Sequence, residues 1–104
     1  MTDFSYLNVD NAYKLINQKV TKTPLVTNDY INNLLEAEIY FKLENLQNTG
    51  SFKLRGATHK ITKLIETLKD SGVVAYSSGN HAQAIAYASM INSISAKIIM
   101  PKTA

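Results

Sequence analysis

Ser51-Phe52-Lys53-Leu54-Arg55-Gly56-Ala57 stands behind a polar turn, Asn45 to Gly50, and is followed after an apolar run by Ser77-Ser78-Gly79-Asn80-His81. The first stretch puts a lysine at the start of an amphipathic helix. The second puts small hydrogen-bond donors at a strand-to-helix turn. A lysine that attacks a carbonyl needs its uncharged amine. The partial positive charge at a helix N-terminus disfavours the ammonium form, and burial disfavours it further. An expected burial of Lys53 at this place therefore suits an imine with an aldehyde. Phe52 beside it offers a flat apolar surface to an aromatic group. Helix N-termini at the carboxyl ends of strands hold anions, so Ser77, Ser78, Gly79 and Asn80 suit a carboxylate or a phosphate. Spacing alone leaves plain readings open. Lys53 is then one more solvated lysine, Phe52 a core residue, Ser78 or Asn80 a helix cap, and His81 a capping or packing residue.

Working outward, Asn8 caps a first helix whose Val9, Ala12, Tyr13 and Ile16 share one face. Thr23-Pro24 breaks that pattern, and Leu25-Val26 reads as extended. Thr27 or Asn28 caps a brief helix through Leu34 and Leu35. Ile39, Phe41 and Leu43 alternate with polar neighbours as a strand does. Ser51 caps the next helix, with Leu54, Ala57, Ile61, Leu64, Ile65 and Leu68 on its apolar face and Lys60, Lys63, Glu66 and Lys69 opposite. Asp70-Ser71-Gly72 ends it. Val73 to Tyr76 and Ala96 to Met100 read as buried parallel strands. The helix between them, from about His81 to Ile91, is apolar nearly all round and predicts packing on several sides. Alternating helices and strands predict an α/β fold with a parallel sheet.

The 104 residues carry 45% hydrophobic and 18% charged residues, the balance of a folded globular chain rather than a disordered one. Eleven Lys and Arg are scattered, without the run that would track a phosphate backbone, so nucleic-acid binding is not expected. There is no cysteine, which excludes disulfides and cysteine zinc sites. His59 and His81 lack ligand spacing, so no metal is expected. No G-x-S-x-G elbow is present for a serine hydrolase. No apolar stretch approaches the about 18 residues that span a bilayer, and the N-terminus shows no secretory pattern. The expected location is the cytoplasm, with no membrane partner.

Lys42-Leu43-Glu44-Asn45-Leu46-Gln47-Asn48-Thr49-Gly50-Ser51-Phe52-Lys53-Leu54-Arg55-Gly56-Ala57, together with the Ser77 to His81 loop, resembles the threonine dehydratase and serine racemase family, the fold type II enzymes that use pyridoxal phosphate. The likeness is loose up to about residue 38 and close thereafter. It implies the N-terminal part of a three-layer α/β fold like the tryptophan synthase β chain. About residues 1–38 would belong to its large domain and about 39–104 to its small domain. By the same resemblance Lys53 holds pyridoxal phosphate as an imine, Phe52 packs behind the pyridine ring, and Asn80 bonds the phenolic oxygen. Ser77, Ser78, Gly79, Asn80 and His81 hold the substrate, and Arg55 is structural. Many threonine dehydratases have alanine at the place of Ser78. Serine racemases and related dehydratases have a serine there, acting as acid and base on the face opposite the lysine, so Lys53 and Ser78 form the implied catalytic pair and racemase or serine and hydroxyaspartate dehydratase activity is favoured.

The implied activity is a threonine or serine dehydratase, an ammonia-lyase of the kind used in isoleucine biosynthesis. A serine racemase or hydroxyaspartate dehydratase is the alternative within the family. The family's glycine-rich phosphate loop would lie beyond residue 104, so the chain reads as a fragment, inactive alone. A non-catalytic truncated α/β module is the reading from a different class. Asn28, Asp29 and Asn48 stand where family racemases bind a nucleotide, which argues against nucleotide regulation. The expected partner is a small amino acid, with a homo-oligomer when full-length.

Overall fold

A computed structural model describes residues 5–104. Helix α1 (Tyr6–Ile16) starts after Ser5, whose backbone is extended. Asn8, expected as the cap, lies inside the first turn, and Ser5 makes no side-chain cap bond. The face carrying Ile16 turns inward, and the chain then runs through buried Val20 and Thr23. Strand β1 (Leu25–Thr27) follows Pro24. Helix α2 (Asp29–Leu35) is capped as its sequence requires, with Asn28 Oδ1 accepting the Ile31 N–H at 3.0 Å.

Strand β2 (Tyr40–Lys42) pairs with β1 in antiparallel register, Leu25 opposite Lys42 and Thr27 opposite Tyr40. The helix-strand alternation predicts one parallel sheet, and this pair departs from it. Helix α2 buries no residue, so it supplies none of the helix-on-sheet packing that covers a parallel sheet.

A 3-10 turn (Glu44–Leu46) leads to Gly50, whose φ of 71° is left-handed. Helix α3 (Lys53–Lys63) then bends at Leu64 into α4 (Ile65–Ser71). The sequence predicts one helix through Leu68. The bend at Leu64, φ −103° and ψ 15°, lets Ile65 and Leu68 stay against the core. Gly72 ends α4 at φ 69°.

Strand β3 (Val73–Tyr76), helix α5 (Asn80–Ile91) and strand β4 (Ala96–Ile99) form a β-α-β unit with β3 and β4 parallel, Val73 beside Ala96 and Tyr76 beside Ile99. The core is the contact of α3 with α5. Leu54, Ala57 and Ile61 lie in one cluster with Ala84 and Ala88, joined by Ile16, Val20 and Ile94. The alanines of α5 present little bulk, which permits a close helix approach.

The sequence predicts that β3 and β4 are buried; Val73, Ala75 and Ile98 are only half-buried, and the other face is open. Val74 and Tyr76 are 70% and 75% exposed. Helix α5 packs against α3 and against β3 and β4, as its apolar sequence predicts, and leaves Met90 facing out. The radius of gyration is 16.7 Å, against about 13 Å for a compact domain of this length. The described residues thus form two two-stranded sheets and a helical core, with apolar sheet surface open to solvent. The three-layer arrangement implied by resemblance is present here only as one covered side of β3 and β4.

Candidate active site

Lys53 is the first residue of α3. The turn before it closes by the Gly50 N–H donating to Gln47 O at 2.8 Å. Ser51 was expected to cap α3. Phe52 takes the cap position instead, already in helical conformation, and it makes no side-chain cap bond. Ser51 Oγ is left buried without a partner. The side chain of Lys53 is exposed and has no hydrogen-bond or ion-pair partner among the described residues. The burial expected for it is absent, because nothing in residues 5–104 covers this end of α3, and the plain reading of a solvated lysine describes Lys53 as it stands. Phe52 is 66% exposed, which removes the reading of it as a core residue.

Gly79 occupies the cap position of α5 and has no side chain to cap with. The first helical bond runs from the Gln83 N–H to Gly79 O at 3.2 Å, so the amides of residues 80–82 have no acceptor within the helix. Ser77 Oγ accepts the Gly79 N–H at 3.3 Å. Ser78, Gly79, Asn80 and His81 are exposed. Neither Ser78 nor Asn80 caps the helix, so the plain capping reading of these two does not hold.

Helices α3 and α5 run in the same direction. The Thr62 hydroxyl donates to Asn92 Oδ1 at 3.3 Å, and Lys19 Nζ donates to both, at 3.1 and 2.6 Å. These bonds join the C-terminal ends of the two helices, which pack along their length. At a rise of about 1.5 Å per residue, Lys53 and Asn80 both lie at the opposite end. The sequence-predicted residues Phe52, Lys53 and Ser77 to His81 therefore share one end of the helix pair.

Sequence reading missed Glu44. Its carboxylate accepts from Arg55 Nε at 2.9 Å and from Arg55 Nη2 at 2.7 Å, and it also accepts the Thr23 hydroxyl. The hydrogen bond from Arg55, helped by Thr23 and the guanidinium charge, lowers the Glu44 pKa from 4.5 to about 2. The same bond raises the pKa of Arg55. The only signal in the sequence was an acid and a base at either end of one polar turn.

A cavity of about 490 Å³ lies between α1 and α3, lined by Val9, Ala12 and Tyr13 on one side and Arg55, Gly56 and His59 on the other. None of the predicted site residues lines it, and the chemistry argues for the helix N-termini instead. An unpaired primary amine, a solvent-facing aromatic ring beside it and an uncapped helix start at the same end fit an aromatic aldehyde cofactor and an anionic substrate.

A family model described as "Pyridoxal-phosphate dependent enzyme" matches residues 16–104. The chain belongs to the pyridoxal-phosphate dependent enzyme family. It is 44% identical over 104 residues to the serine racemase of Dictyostelium discoideum, covering 100% of this chain and 32% of that protein. The crystal structure of serine racemase from that organism superposes with a TM-score of 0.89 at 46% identity, over 94% of this chain and 32% of the other. The biosynthetic L-threonine dehydratase of Lactococcus lactis is 50% identical over 95 residues, 91% of this chain and 23% of that one. The L-threo-3-hydroxyaspartate ammonia-lyase of Saccharomyces cerevisiae is 45% identical over 100 residues, 96% and 31%.

The chain thus spans a third or less of the length of these relatives. Over the matched stretch it has the mixed α/β fold of the fold type II pyridoxal phosphate enzymes. Among the described residues no helix is long and apolar enough to cross a membrane.

Proposed function

We propose that the chain is the lysine-bearing part of a pyridoxal phosphate-dependent ammonia-lyase that converts threonine or serine to a 2-oxo acid and ammonia. The observation that carries this reading is the place of Lys53, on the first residue of α3, at the same helix end as the donor loop 77–81. The 50% identity to a threonine dehydratase supports it.

When bound, pyridoxal phosphate supplies the electron sink for bonds at the substrate α-carbon. Lys53 Nζ would be the group that holds the cofactor aldehyde. The free Lys53 amine would be the base that takes the proton from the substrate α-carbon. Phe52 would offer its exposed ring to the cofactor ring, and Asn80 would supply an amide donor to it. Ser77, Gly79, His81 and the free amides at the start of α5 receive the substrate carboxylate. Cytoplasmic location and assembly as a homo-oligomer belong to the same proposal.

A second reading rests on Ser78. Its hydroxyl is exposed at the start of α5, where it can return a proton to the face opposite Lys53. That gives a serine racemase, and elimination from hydroxyaspartate is a further variant of the same site. The test supplies the whole protein carrying this chain with pyridoxal phosphate and L-threonine, L-serine or L-threo-3-hydroxyaspartate. A 2-oxo acid as main product supports the lyase, and D-serine as main product supports the racemase. Keto acid formation that survives Lys53→Ala contradicts both.

A further inference from the structure

Helix α3 begins without a cap. Phe52 makes no capping bond, and the Ser51 hydroxyl beside it is buried and unpartnered. The position of Lys53 must therefore be fixed by something other than its own helix start. Two contacts flank it. Leu54, the next residue, is fully buried in the core. Arg55, one further on, reaches back across the turn. Its Nε donates to Glu44 Oε2 at 2.9 Å and its Nη2 to Glu44 Oε1 at 2.7 Å. The same Nη2 lies 3.2 Å from Thr21 O and 3.5 Å from Thr23 Oγ1.

Glu44 is held in turn. It accepts the hydroxyl of Thr23, which is 3% exposed. Gln47, also buried, accepts the Thr21 N–H at 2.8 Å and donates to Thr21 O at 2.9 Å. The α1–β1 connector, the 3-10 turn and the first turn of α3 are thereby joined at one point. A planar guanidinium on two carboxylate oxygens fixes direction as well as distance.

We propose that Glu44 and Arg55 are positioning residues for Lys53, a two-point clamp that stands in for the missing helix cap. The inference rests on the reading of Lys53 as the cofactor lysine. Neither Glu44 nor Arg55 touches substrate or cofactor; both act through the backbone of residues 52–55. A shift of about 1 Å at a reacting amine is enough to cost on the order of a hundredfold in rate, so loosening the clamp acts on turnover rather than on binding.

The experiment compares Glu44→Gln and Arg55→Lys with the parent in the whole protein loaded with pyridoxal phosphate. Borohydride reduction and peptide mass mapping count the cofactor attached at Lys53, and keto acid release from L-threonine is expressed per attached cofactor. The expected result for Glu44→Gln is a kcat at least tenfold lower, a KM within twofold, and an altered visible circular dichroism band of the bound cofactor. Arg55→Lys, which keeps the charge and loses the fork, should fall between Glu44→Gln and the parent. If either variant loses folded protein while the rate and the dichroism per attached cofactor stay unchanged, the pair is structural only and the inference is overturned. Unchanged kinetics in both variants overturn it too. Absence of any adduct at Lys53 in the parent overturns the functional reading itself, and the inference with it.

Discussion

The Thr62 hydroxyl and the side-chain oxygen of Asn92 meet at 3.3 Å, with Lys19 bonded to both. This contact sets α3 and α5 side by side in one direction, and it thereby brings Lys53 and Asn80 to a common end. Asn92 also donates from Nδ2 to Ala88 O at 2.7 Å. Removing its amide leaves buried groups unpaired. Asn92→Ala is expected to cost about 2 kcal/mol of stability, read as a lower urea midpoint with an unchanged slope.

Thr58 and Ser89 lie on the facing helices α3 and α5, fully or almost fully buried, and their hydroxyls find no partner among the described residues. A buried hydroxyl without a partner costs about 1–3 kcal/mol. Valine has nearly the shape of threonine and a similar helix propensity. Thr58→Val should therefore stabilise the chain by about 1 kcal/mol, measured by the shift of the denaturant midpoint. A loss of stability would show that the hydroxyl has a partner after all.

The glycines of α3 and α4 should respond in opposite directions. A Cβ on Gly56 would meet nothing within 4 Å, and Gly56→Ala is expected to stabilise by about 0.5–1 kcal/mol through helix propensity. Gly72 has φ 69° and ψ −167°, and a Cβ there would come within 2.7 Å of Ser95 O. Gly72→Ala should cost about 1–3 kcal/mol for the backbone conformation, with the collision against Ser95 added. Thermal melts of the two variants check both signs.

Acid should weaken the Glu44–Arg55 pair in a defined window. The folded pKa of Glu44 lies at about 2, below its ordinary 4.5, chiefly because of the Arg55 hydrogen bond. The unfolded chain therefore binds this proton first as pH falls. The stability that the pair contributes is complete above about 4.5 and disappears as pH drops from 4.5 towards about 2. Glu44→Gln should lower stability at neutral pH by about 1–3 kcal/mol and flatten the curve through that window. Denaturant midpoints at a series of pH values give the measurement.

What could be read from the residues was local. Val9 to Ile16 marked one face of α1, Thr27 and Asn28 offered the cap that Asn28 fills, and Val73 to Met100 showed a strand, helix and strand in order. The lysine block and the Ser77 to His81 loop stood out because their chemistry is concentrated in a few neighbouring positions.

What could not be read depended on distant partners. The antiparallel pairing of Leu25 with Lys42 leaves no periodic signature. The bend at Leu64 interrupts a hydrophobic repeat that continues straight through it. Glu44 and Arg55 are joined only because a turn folds one back on the other. The exposure of Lys53, Val74 and Tyr76 reflects which surfaces the described residues do not themselves cover, and a hydrophobic pattern does not distinguish a covered strand from an uncovered one.

The central claim is that Lys53 carries the cofactor. The most direct measurement is borohydride reduction of the whole protein with pyridoxal phosphate, followed by digestion and peptide mass mapping. The account predicts one pyridoxyl group, on the peptide holding Lys53, and its loss in Lys53→Ala. A reduced adduct on a different lysine, or none in the parent protein, would contradict it.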